Sequence, residues 1–114
     1  MQSQLNVYGN ILEKCSMNPL TGWYRTGYCQ TDDDDYGTHV VCGRVSNEFL
    51  KFTKSRGNDL TKILKEGDFW CLCALRWLEA YKYDNRIAPR IKLESTNIKV
   101  LEYISLEVLE KYKI

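Results

Sequence analysis

Apolar and polar positions alternate in short stretches along the chain, and the period changes from one stretch to the next. The first third is loop-rich. Leu5-Asn6-Val7-Tyr8 alternates as a short strand does, and Gly9-Asn10 reads as a turn. Asn18-Pro19-Leu20-Thr21-Gly22 reads as a second turn, since Pro fixes φ and Gly accepts positive φ. From Trp23 to Cys29 the aromatic-rich segment fits a strand or an ordered loop. From His39 the pattern sharpens. Val40-Val41-Cys42-Gly43-Arg44-Val45 predicts a short buried strand, and Ser46 is placed to cap a helix whose buried face is Phe49, Leu50, Phe52 and Thr53. Gly57 supplies its left-handed stop. Asn58-Asp59 predicts the cap of a second, short helix carrying Leu60, Ile63 and Leu64, closed by Gly67.

Asp68-Phe69-Trp70-Cys71-Leu72-Cys73 is apolar on both faces and reads as a central strand. It runs into a helical stripe of Ala74, Leu75, Leu78 and Tyr81, with Arg76, Glu79 and Lys82 outside it. Ile91 and Leu93 form a third alternating segment; Ile98, Val100 and Leu101 form a fourth. Ser105 then caps a closing helix with Leu106, Val108, Leu109 and Tyr112. Strands and helices mixed without a regular βαβ repeat predict an α+β fold. The expectation is one compact two-layer domain over residues 1–114, a small sheet with helices on one face and the loop-rich third laid over the strand of Cys71 and Cys73.

At 114 residues and 13.4 kDa the chain suits one hydrophobic core. The 16 basic and 15 acidic residues leave a net charge of +1, so no electrostatic footprint for nucleic acid or anionic lipid is present. No apolar run approaches the roughly 20 residues of a membrane span. Met1-Gln2-Ser3-Gln4-Leu5 lacks the basic start and apolar stretch of a secretion signal, so a cytoplasmic protein is expected. The partner expected is a small molecule or a protein, with no nucleic acid and no membrane, and the oligomeric state is open.

The 5 cysteines then acquire a meaning. Their number is odd, and a reducing cytosol makes lasting disulfides unexpected. Cys15, Cys29, Cys42, Cys71 and Cys73 are therefore read as buried thiols, reactive thiols or metal ligands, and small thiols are among the most buried side chains. Cys29, His39, Cys42, Cys71 and Cys73 are the candidate ligands of a zinc ion, which takes about four nitrogen or sulfur donors. Their spacing is poor for this purpose: no Cys-x-x-Cys knuckle exists, and Cys71 and Cys73 stand about 6.5–7 Å apart along a strand. No cofactor is assured, and zinc stays open. If His39 to Cys42 were all strand, their side chains would face opposite ways, so His39 belongs in the preceding loop.

A second reading is nucleophilic, with Cys42 or Cys29 activated by His39 and helped by Arg25. In a third, Trp23, Tyr24, Arg25 and Trp70 make a ligand platform, by stacking and by bidentate binding of carboxylate or phosphate. The same rings also serve simply as a roof over a small sheet. Asp32 to Asp35 lack the alternate spacing of a calcium loop and read as a solvated acidic loop. Asp34 or Asp35 is nevertheless placed to orient His39 or to pair with Arg25. These readings converge on a binding module with a Cys/His/Arg-lined polar pocket; the alternative is an enzyme using a Cys/His thiol or a zinc site.

Four ordered segments carry a family likeness. Cys15 with Pro19-Leu20-Thr21-Gly22-Trp23-Tyr24-Arg25-Thr26-Gly27-Tyr28-Cys29 resembles the first signature of domain-of-unknown-function family 2237, small proteins found mostly in bacteria. His39-Val40-Val41-Cys42 and Arg56-Gly57-Asn58-Asp59-Leu60 are similar to the second and third, and Gly67 to Trp77 is similar to the fourth. The resemblance covers essentially the whole chain. It implies a compact two-layer α+β domain and no established activity. It marks Arg25, Cys29, His39, Cys42, Trp70, Cys71 and Cys73 as pattern positions without giving them roles. Members of the family often carry a longer, proline-containing segment where this chain has only Thr61 to Glu66. If that segment covers a site, the site here is more open.

Overall fold

Strand β1 (His39–Arg44) lies in the middle of a three-stranded antiparallel sheet, between β2 (Phe69–Cys73) and β3 (Arg90–Ile91). The computed structural model describes residues 4–114. Met1, Gln2 and Ser3, part of the stretch read for a secretion start, lie outside the described residues. With three helices beside this sheet, the α+β class expected from the sequence is the one observed.

The sheet corrects one expectation. β2 is an edge strand; the central one is β1. The reason is that the first third covers the free edge of β2, where the Cys71 N–H donates to Thr21 Oγ1 at 2.8 Å. A covered edge can be as apolar as a central strand, which made the two indistinguishable in the sequence. The register pairs Val41 with Leu72 and Cys42 with Cys71. By strand alternation the first pair points to one face of the sheet and the second to the other. Val41 and Leu72 join the main core with Phe49, Trp77, Ala80 and Leu109; Cys42 and Cys71 join a separate cluster with Cys15 and Cys29.

Helix α1 (Asn47–Ser55) begins where Ser46 Oγ accepts the Phe49 N–H at 3.1 Å, and Gly57 at φ 87° follows its end. Its buried residues are Phe49, Leu50, Phe52 and Thr53, the face expected. Helix α2 (Ala74–Tyr83) follows β2 with no residue between. It buries Ala74, Trp77 and Ala80, and Leu75, expected in the stripe, is 60% exposed. The Trp77 indole sets this rotation: it is fully buried and its Nε1–H donates to the Pro89 carbonyl at 3.0 Å. Helix α3 (Leu106–Glu110) starts at Ser105, whose Oγ accepts the Val108 N–H at 3.2 Å.

Three expected elements are replaced. Residues 60–64 form turns, not a helix: Asp59 Oδ1 accepts the Thr61 N–H, and the Leu60 carbonyl takes both the Ile63 and Leu64 N–H groups. Ile98–Glu102 is a 3₁₀ helix in place of the fourth strand, because Asn97 Oδ1 accepts the Lys99 N–H and starts a turn. Leu5 to Tyr8 makes only isolated bridges, Leu5 with Ile11 and Asn6 with Asn97. There buried Asn6 accepts from Tyr8 and Asn10 N–H groups and donates to the Glu94 carbonyl, folding the segment on itself. No helix among the described residues is long and apolar enough to cross a membrane.

Candidate functional site

The first third is fastened to the sheet by sulfur. Cys15 is bonded to Cys42 and Cys29 to Cys71, with Cα–Cα distances of 5.7 and 5.3 Å. This corrects the expectation that disulfides would be absent. Cys42 and Cys71, neighbours across β1 and β2, lie on the sheet face that the 15–29 loops cover, within bonding reach of Cys15 and Cys29. It also corrects the nucleophile reading of Cys29 and Cys42, since both sulfurs are fully buried and bonded. A bonded sulfur offers neither a thiolate nor a metal ligand. Cys73 alone is a free thiol, half-buried, opposite His39 in the β1–β2 register. The expected five-residue metal set therefore does not assemble: His39 and Cys73 lie outside the sulfur cluster, which contains Cys15 instead.

Beside β2 the chain leaves a cleft of about 240 Å³, lined by Gly22, Trp23, Arg25, His39, Leu60, Ile63, Trp70 and Cys71. Three segments meet there: the 21–28 loop, the start of β1 and the turns after Gly57. Arg25 sits at φ 55°, a left-handed conformation uncommon for a residue with a Cβ, and its guanidinium lies 5.1 Å above the centre of the Trp70 ring. One of its N–H groups donates to the Gly22 carbonyl at 2.6 Å. Gly22 itself, at φ 98°, passes so close to the Tyr28 carbonyl that no Cβ would fit.

His39 enters the cleft from the first position of β1. A bulge between His39 and Val41 breaks the simple alternation, and Thr38 just before it has φ 48°. The bulge re-aims the imidazole, so a strand residue reaches a site that the sequence reading reserved for a loop. Its Nδ1 lies 2.6 Å from Asp35 Oδ1, and Asp35 Oδ2 accepts the His39 backbone N–H at 2.9 Å and the Thr31 hydroxyl at 3.0 Å. The Asp35 side chain is fully buried and the His39 side chain 31% exposed. In the Nδ1–H tautomer the ring donates to Asp35, and Nε2 has no partner among the described residues. The Trp23 ring stacks on the imidazole, 5.5 Å between centroids and 8° from parallel.

Of the residues proposed from the sequence, Trp23, Arg25, His39, Trp70 and Cys71 meet in this cleft. Cys29 and Cys42 lie in the buried sulfur cluster, and Tyr24 turns away to Asp32. That hydrogen bond pushes the Tyr24 phenol up to about 12 and holds the Asp32 carboxyl below its usual range. The acidic loop is solvated at Asp32, Asp33 and Asp34 but not at Asp35. Leu60 and Ile63 were missed as cleft walls, although Ile63 stands in the short 61–66 segment and Leu60 directly before it. Gly37 was missed as well: a Cβ there would lie 2.5 Å from His39 Cε1. It keeps room for the ring.

The comparisons with known proteins fall on the whole of this frame. A family model described as an uncharacterised protein conserved in bacteria matches residues 5–113. No curated protein matches the chain.

Proposed function

The chain belongs to domain-of-unknown-function family 2237, and from that premise we propose that its cleft binds a small anionic molecule with a flat face. The observation carrying this reading is Arg25. Its guanidinium is placed by a left-handed backbone and by the Trp70 ring, yet no carboxylate lies within ion-pair distance of it among the described residues. Strained φ values cost about 1–3 kcal/mol each and persist where the surrounding structure fixes them, commonly at ligand sites. Its remaining N–H fork suits a carboxylate or phosphate. The indoles of Trp23 and Trp70 supply aromatic faces, and His39 Nε2 adds a polar group that no described residue occupies.

A second reading rests on the Asp35–His39 pair. A buried carboxylate that fixes one imidazole tautomer is the arrangement of a general base, so an enzyme moving a proton on the bound anion is the alternative. The cytoplasmic location expected from the sequence is part of the proposal, and it stands against two disulfides, which oxidising compartments favour.

Tryptophan fluorescence of the full chain, titrated with benzoate, cyclohexanecarboxylate, benzyl alcohol and inorganic phosphate, tests the binding reading. Saturable quenching by benzoate, with weaker effects from the other three, is expected. Arg25→Gln should weaken benzoate by about tenfold or more, the loss of a charge-assisted hydrogen bond. Equal affinity in Arg25→Gln and the parent chain would end the reading.

A further inference from the structure

We infer that, once reduced, the sulfurs of Cys15, Cys29, Cys42 and Cys71 form a buried tetrathiolate site for a zinc-like divalent cation. The site shares Cys71 with the wall of the anion cleft but does not depend on that reading. Three of the sulfurs, those of Cys15, Cys29 and Cys42, lie within 4.8 Å of one another, and the fourth is bonded to Cys29. A tetrahedron with zinc–sulfur bonds of about 2.3 Å has edges of about 3.8 Å. The bonded pairs must therefore part, and Cys71, which lies outside the group of three, must swing toward it, by side-chain rotation on a frame already in place.

That frame is held by bonds in which sulfur takes no part. Cys42 and Cys71 face each other across β1 and β2. Their N–H groups donate to Thr96 Oγ1 at 3.1 Å and Thr21 Oγ1 at 2.8 Å. The Cys15 N–H donates to the Gly27 carbonyl at 2.7 Å, and the Cys29 carbonyl accepts from Asn97 Nδ2 at 3.0 Å. All four side chains are buried, with Phe69 packed against them, so the cluster excludes water. Soft thiolates without competing oxygen donors select zinc over magnesium or calcium. His39 is not needed, because four sulfurs complete a tetrahedron and the imidazole lies outside their cluster.

The electron count is simple. Each disulfide takes two electrons and two protons from a dithiol reductant, which leaves as a disulfide, and four thiols result. One divalent cation then displaces four protons to solvent and binds four thiolates. In a reducing compartment the same four residues would thus hold metal, and in an oxidising one they would hold two covalent links.

Cobalt and zinc, added alone to the full chain, test this. Chain kept reduced with a phosphine should take up one cobalt per molecule, with the intense sulfur-to-cobalt charge-transfer band of a tetrathiolate, and zinc should bleach it. Iodoacetamide should then modify only Cys73. Oxidised chain should bind neither ion. Cys42→Ser should weaken zinc by about 100-fold or more, while Cys73→Ser and His39→Ala leave it unchanged. If the reduced apo chain unfolds, zinc should refold it, as read by circular dichroism. A reduced chain with no thiolate–cobalt band, a band that survives in Cys42→Ser, or a failure of zinc to restore the fold would overturn the inference.

Discussion

Single residues of this protein owe their roles to small groups beside them. His39 reaches the cleft because Gly37 leaves space for its ring and Asp35 holds its Nδ1. Neither neighbour is unusual by type. A run of four aspartates hides the buried one, since the chemistry of each is the same and only burial separates them. Arg25, Trp23 and Trp70 were singled out because arginine among aromatics suits a ligand platform, although the same rings also serve as a roof over a sheet. Tyr24 and Asp32 offer a titration test at this scale. The carboxyl is held low in the folded chain, so the pair's contribution is complete above the unfolded carboxyl pKa and is lost as pH falls through Asp32's folded value. On the alkaline side it lasts until the phenol ionises at about 12. Tyr24→Phe should return the Asp32 carboxyl toward the ordinary range, seen as a shifted carboxyl resonance midpoint by NMR. Both groups are exposed, so the melting temperature should hardly change.

At the scale of elements, the helix starts and the extents of β1 and β2 were readable, and the order of the strands in the sheet was not. Ser46 and Ser105 cap helices where the sequence places them, because a cap is a local bond between residues three apart. The rank of a strand within a sheet is not local. β2 looks central since Thr21, some 50 positions earlier, satisfies the Cys71 N–H at its edge. Thr21→Val keeps the shape and removes the acceptor. It should lower stability by about 1–3 kcal/mol in urea unfolding, the cost of a buried N–H left unpaired. Faster hydrogen exchange at the Cys71 amide should accompany it. The turns at 60–64 belong here too: the helical spacing of Leu60, Ile63 and Leu64 is real, yet Asp59 Oδ1 takes the Thr61 N–H and the segment closes as turns.

Across the whole molecule the loop-rich third is part of the fold, not an appendage. Gln4, Asn6 and Asn97 tie it by hydrogen bonds, and two disulfides bind it to the face of the sheet opposite Val41 and Leu72. Those links close 27 and 42 residues of sequence. In oxidised protein the paired change Cys15→Ala with Cys42→Ala should cost about 2–4 kcal/mol, measured by guanidinium unfolding. Cys73→Ala should change stability by less than about 1 kcal/mol, because the thiol is half-buried and unpaired. The anion cleft depends on the same arrangement: its Arg25 arrives on the stapled loop, its His39 on β1 and its far wall on the turns after Gly57.

The sequence by itself determined the α+β class and the start of each α-helix, and it singled out Trp23, Arg25, His39 and Trp70 among the residues that line the cleft. These follow from short-range periodicity, from caps and from scarce side chains set close together in the chain. The tertiary structure alone decided which sulfur meets which, which strand is inside and where the imidazole points. Each of those is a relation between segments far apart in the chain, and spacing along a polymer carries no record of the partner until the backbone closes on it.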